Sequence, residues 1–97
     1  MSQSASLQTP DAALADPNAN EILRAWVANG GLVCNLRPTS FPEASAWGIV
    51  LADVARHVAN AIQGARGIPP EETIRQIRYL FNAELGSPTD TARGEFV

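Results

Sequence analysis

Glu21-Ile-Leu-Arg-Ala-Trp-Val-Ala28, Asn29-Gly30-Gly31 and Leu32-Val-Cys-Asn-Leu-Arg37 run on from one another, and the reading of this stretch decides the fold. Asn-Gly supplies two consecutive residues that tolerate positive φ, as a type I′ turn demands. Both flanks are short and apolar, and Trp26, Val27 and Val33 favour extended backbone. A helix over 20–28, with Leu23, Trp26 and Val27 on one face, is the competing reading. The Asn-Gly turn accounts for both flanks at once, so a β-hairpin is expected. Side chains alternate along a strand, which puts Ile22, Arg24, Trp26 and Ala28 on one side and Leu23, Ala25 and Val27 on the other. On the second strand Leu32, Cys34 and Leu36 oppose Val33, Asn35 and Arg37. Neither face is cleanly polar, so both are expected to be partly covered.

Downstream, Pro38 stops the strand. Ser40-Phe-Pro-Glu43 reads as a helix start, with Ser40 as cap and Glu43 at the reciprocal position of a capping box. Helix one is expected over about Phe41–Gln63. At about 100° per residue, Trp47, Val50, Leu51, Val54, Val58, Ala61 and Ile62 fall on one broad stripe. Gly48, Ala52, Ala55 and Ala59 form a shoulder of small residues beside it, open to close approach by another backbone. Ile49 sits opposite, so the helix is expected to be covered on more than one side. Gly64 and Gly67 are expected to end it. Pro69-Pro70 and Glu71-Glu72 then suit the first turn of a second helix, where the dipole favours acids. That helix is expected over about Pro70–Leu85, with Ile74, Ile77, Leu80, Phe81 and Leu85 as its apolar stripe, closed by Gly86 and Pro88.

Outward from this core, residues 1–20 are rich in Ser, Ala, Asp and Pro and read as a flexible leader, with a turn of helix possible at 11–15. Residues 21–85 read as a single small domain and 86–97 as a polar tail with Phe96-Val97 at its end. The whole chain, 97 residues at 45% apolar content, is one domain's worth of protein. Its net charge of −3 comes from the ends, because the arginines and acids of 21–85 balance. A neutral core with acidic ends is a poor match to phosphate backbones, so nucleic acid is not expected as a partner. There is no lysine, which excludes a Schiff-base lysine and a phosphate-loop lysine. Cys34 is the single cysteine, and no Cys/His set exists for zinc, so neither a disulfide, a metal nor a cofactor is expected. The first residues lack the basic start and apolar run of a secretory signal, and no apolar run approaches membrane-spanning length. A cytoplasmic protein is the plain expectation.

Chemically, Asp53 and His57 lie four apart on helix one and are neighbours on its surface. Asp53 could orient an imidazole base there, with Arg24 or Arg37 as an oxyanion partner. No nucleophile accompanies them, since no Gly-x-Ser-x-Gly elbow exists and Cys34 lies in a strand. The bland account of a histidine at the border of an apolar face is therefore the better one. Trp26 and Trp47, with Arg24 and Arg37, are the candidate binding residues; the tryptophans read first as core or interface anchors. Arg75, Arg78 and Tyr79 make a basic-aromatic cluster that Glu71, Glu72 and Glu84 offset.

The stretch Ala46-Trp-Gly-Ile-Val-Leu-Ala-Asp-Val-Ala-Arg-His-Val-Ala59 and the ending Phe81-Asn-Ala-Glu-Leu-Gly-Ser-Pro-Thr-Asp90, together with the Leu23–Arg37 hairpin, resemble a family of short proteobacterial proteins known as a domain of unknown function. The resemblance covers about residues 20–90 and implies a stand-alone bacterial protein without supplying an activity. Trp47-Gly48, Asp53, His57, Glu84 and Pro88-Thr89-Asp90 are the positions it puts forward for testing.

These readings converge on an α+β domain, a β-hairpin followed by two amphipathic helices. A lone hairpin is marginal in water and exposes two edges. Dimerisation that pairs two hairpins across a two-fold axis into a four-stranded sheet would remove one of them. The expected function is that of a non-enzymatic homodimeric module binding a protein or a small molecule. The alternative is a small enzyme or enzyme subunit using Asp53 and His57 as an acid/base pair.

Overall fold

A computed structural model describes residues 6–97. In chain order its elements are α1 (Asp11–Ala15), β1 (Leu23–Ala28), β2 (Gly31–Leu36), a single 3-10 turn (Pro38–Ser40), α2 (Ala46–Arg66) and α3 (Pro70–Gly86). This is the expected α+β arrangement of an antiparallel hairpin followed by two long helices. Asn29 and Gly30 take φ of 53° and 76°, the two consecutive positive values of a type I′ turn. The helical alternative for 20–28 is thereby excluded. The turn also sets the register, pairing Ala28 with Gly31, Val27 with Leu32, Ala25 with Cys34 and Leu23 with Leu36.

That register bears out the expectation that neither sheet face is cleanly polar and shows which strand faces coincide. Directly paired residues share a face, so Leu23, Ala25, Val27, Leu32, Cys34 and Leu36 make one wholly apolar surface. The opposite face mixes Arg24, Asn35 and Arg37 with Trp26 and Val33. A hairpin with one clean apolar face is built to be covered there.

The C-terminal segment closes one sheet edge. The Cys34 and Leu36 amides donate to the Arg93 and Glu95 carbonyls at 2.7 and 3.1 Å, and the Arg93 and Val97 amides donate to the Leu32 and Leu36 carbonyls at 3.1 and 3.0 Å. The Glu95 amide adds a bond to Asn35 Oδ1 at 2.9 Å. Residues 93–97 thus lie parallel to β2 as a short third strand. The free hairpin edge is β1's, where the amides and carbonyls of Leu23, Ala25 and Val27 point away from β2 and find no backbone partner among the described residues.

Two helix boundaries differ from expectation for local reasons. Phe41 precedes Pro42, whose ring disfavours helical backbone in the residue before it, and Phe41 is extended at φ −130°, ψ 150°. The helix therefore starts at Ala46, and Ser40 caps nothing downstream; its hydroxyl donates back to the Arg37 carbonyl at 2.6 Å. At the other end Gly64 stays inside α2, and Gly67 terminates it with φ 73° and its amide on the Gln63 carbonyl at 2.9 Å. This is the left-handed glycine stop.

α3 folds back along the small-residue shoulder of α2. Ala59 and Thr73 are buried there, with Ala55, Ile62, Ile74 and Ile77 half-buried around them. Burial fades away from the connecting loop, and Leu80, Phe81 and Leu85 are 61%, 46% and 71% exposed. On the larger stripe of α2, Trp47, Val50 and Ile62 are half-buried, while Leu51, Val54 and Val58 stay exposed. Neither strand approaches either long helix. The chain accordingly exposes 8200 Å², where a compact protein of its mass exposes about 5,400 Å². Its radius of gyration is 15.2 Å, against about 12.5 Å for a compact chain of this length. The leader, with Leu7 and Leu14 exposed, and the open parts of the two apolar faces, at Val27, Leu32, Leu51, Val54 and Val58, all contribute to that excess.

Candidate functional site

The side chains with chemical potential are spread over separate surfaces. Asp53 and His57 both lie on an exposed side of α2. The Asp53 carboxylate sits 3.6 Å from the Arg56 guanidinium, and no hydrogen bond joins it to His57. No sheet residue comes near, because the hairpin and α2 do not touch. Arg24, offered as an oxyanion partner, forms a two-pronged contact with Glu21 at 2.9 and 3.0 Å. That hydrogen bond and the carboxylate's charge raise the arginine above its ordinary value. On α3, Glu72 accepts hydrogen bonds from Arg75 and Gln76, and these hold its carboxyl below the ordinary range. Tyr79 is exposed beside them.

The hairpin does bring Arg24 and Arg37 to one face, two residues apart along the strands. Both line a shallow cleft of about 310 Å³ shared with Ile22, Asn35 and Val97. The Arg37 Nε is buried there without a hydrogen-bond partner among the described residues. A larger cleft of about 750 Å³ separates the leader, at Leu7 and Pro10, from β1 at Leu23, Ala25 and Val27. It opens onto the free strand edge. Trp26, 39% exposed, belongs to the mixed sheet face.

Trp47 holds a structural position. Its indole N–H donates to the Pro38 carbonyl at 3.2 Å. Its ring meets Phe41 edge-on with centroids 5.6 Å apart. The start of α2 is thereby tied to the end of the hairpin. Glu84 and Thr89 likewise bracket the end of α3, where the Glu84 carboxylate accepts both the Thr89 amide and hydroxyl at 3.0 Å. This turn sends the chain back to the sheet, where Asp90 and Arg93 lie over Gly31, the buried residue of β2. Sequence reasoning named Glu84 and Thr89 without a role; the role is to aim the tail.

Among the described residues no group of three His, Cys, Asp or Glu could hold a metal ion. No described helix is long and apolar enough to cross a membrane. What stands out instead is apolar surface: the sheet face and the α2 stripe.

The model of the family Domain of unknown function (DUF5076) matches residues 6–89. This chain belongs to that family. The DUF5076 match takes in the hairpin, both long helices and the Glu84–Thr89 bracket, and it stops before the strand formed by the tail. A solved structure from the photosynthetic bacterium Rhodopseudomonas palustrus CGA009, called a "putative pyruvate dehydrogenase", is similar at 34% identity and a TM-score of 0.69, over 89% of this chain and 88% of that one. No protein of curated function matches.

Proposed function

We propose that this DUF5076 chain is a non-enzymatic homodimeric interaction module, completed by a second copy, that binds a protein or a small molecule. The observation that carries the reading is the wholly apolar sheet face standing clear of helices that themselves leave an apolar stripe open. Single folded chains rarely leave contiguous apolar patches of this extent without a partner. The free edge of β1 supports the same reading. Its outward residues Leu23, Ala25 and Val27 would pair antiparallel with a second β1, Ala25 facing Ala25 and Leu23 facing Val27. A cytoplasmic setting is part of the proposal, supported by the lone free Cys34. Light scattering at micromolar concentration is expected to give twice the chain mass of 10.3 kDa. A mass of one chain would overturn the reading.

The name of the Rhodopseudomonas relative favours a second reading, an enzyme subunit acting on an oxo acid. A lipoyl carrier needs a lysine, and this chain has none. The candidates left are Asp53 and His57, both exposed and unconnected. The His57 ring signals in NMR are expected to stay put when pyruvate is added. A saturable shift, lost in Asp53→Asn, would favour the enzyme over the binding module.

A further inference from the structure

Along α2, Trp47, Leu51, Val54, Val58, Ala61 and Ala65 follow one another at steps of four, three, four, three and four. This is the a/d spacing of a coiled-coil seam, in which residues every 3.5 positions keep one line of the helix against a partner helix. α3 does not occupy that line. It lies on the shoulder, where Ala59 is buried and Ala55 and Ile62 are half-buried. The seam residues Leu51, Val54 and Val58 stay 42%, 48% and 38% exposed.

Side-chain size runs down the seam in one direction, from Trp47 and Leu51 through two valines to Ala61 and Ala65. An antiparallel partner with the same sequence reverses the gradient. Trp47 then faces Ala65, Leu51 faces Ala61 and Val54 faces Val58, so large meets small at both ends and equal sizes meet in the middle. A parallel partner would set two indoles against each other and leave two pairs of alanines facing across a gap. Antiparallel packing also opposes the helix dipoles.

The surface to be covered has the size of a dimer's. The chain exposes 8200 Å², some 2,800 Å² above a compact chain of its mass. Each partner of an obligate dimer buries about 1,000–2,500 Å², half of the interface total, so even with part of the excess belonging to the leader the remainder is of that order.

Resting on the dimer proposed above, we infer that its helical interface is α2 against α2 of a second copy, antiparallel, with Leu51 facing Ala61. The test is oxidative cross-linking of the full chain in a Cys34→Ala background. The double variant Leu51→Cys, Ala61→Cys is expected to give covalent dimers, and each single variant is not. Within one chain these positions are about 15 Å apart along the helix, beyond the reach of a disulfide. Covalent dimers from Leu51→Cys alone would place like residues together and overturn the antiparallel seam. No covalent dimer from a protein whose scattering mass is that of two chains would overturn the α2 interface and leave the dimer standing. A single-chain mass before oxidation would remove the proposed module and this inference with it.

Discussion

Val54→Asp is expected to turn the proposed dimer into monomers and to raise its dissociation constant at least about 100-fold, near 2.8 kcal/mol at 1.4 kcal/mol per tenfold. In the single chain Val54 is already 48% exposed. A polar replacement at so open a position ordinarily changes stability by less than about 0.5 kcal/mol. The large effect arises only if the side chain faces apolar groups of another molecule, where an unpaired carboxylate loses its hydration without compensation. Ile49→Asp is the control, because Ile49 lies on the far side of the same helix and is 67% exposed. It makes an equal change in charge and helix propensity but leaves the seam intact. Sedimentation or light scattering over a concentration series separates the outcomes. A dimer that survives Val54→Asp with unchanged affinity would mean that the seam faces water.

The same reasoning makes stability depend on concentration. Only Gly31, Ala59 and Thr73 are buried among the described residues, so the single chain has little core with which to offset the conformational entropy of folding. If a second copy supplies the missing contacts, unfolding is coupled to dissociation and the thermal midpoint rises with protein concentration. The Val54→Asp variant should lose that dependence along with the dimer.

Much of this was legible in the residues. Asn29-Gly30 dictated the hairpin, and the spacing of Ile74, Ile77 and Phe81 located α3. The all-apolar sheet face was within reach too. A two-residue turn fixes which residues pair, and following the pairs outward from Ala28–Gly31 unites Leu23, Ala25 and Val27 with Leu32, Cys34 and Leu36. Reading each strand alone hid this, since alternation on one strand says nothing about its neighbour. The helix starts later than the Ser40–Glu43 capping box implies, because Pro42 holds Phe41 in extended backbone. Helix periodicity found the stripe on α2 but could not say which flank α3 would take. Ala55 and Ala59 permit a closer helix approach than Leu51 and Val54, and the closer approach was taken. The tail strand left little trace in the sequence, because main-chain bonds hold it while Phe96 and Val97 remain 78% and 73% exposed. The chemical candidates fared differently: Asp53 and His57 are adjacent on one helix, yet a site needs groups from a second element, and none arrives.

Gly94→Ala is expected to release the C-terminal strand while leaving the hairpin and helices folded. Gly94 sits at φ 135°, where residues with a Cβ are strained, and a Cβ there would lie 1.8 Å from the Cys34 carbonyl oxygen. The obstacle is backbone, so no side chain can swing aside to relieve it. The strand must lift. Its release forfeits the bonds that Cys34, Leu36, Arg93, Glu95 and Val97 donate, each worth about 0.5–1.5 kcal/mol net. Much of that is returned as the freed segment regains roughly 1–2 kcal/mol of backbone entropy per residue. The two terms largely cancel, so the net change in urea unfolding is expected to stay within about 2 kcal/mol. The local effect is larger. Hydrogen exchange at the Cys34 and Leu36 amides should accelerate well over tenfold, while Trp26 and Val33, paired inside the hairpin, keep their protection. The opened β2 edge would also offer unpaired amides to other molecules, so the variant should aggregate more readily than the parent. Unchanged protection at Cys34 and Leu36 would show that the tail does not close this edge in solution.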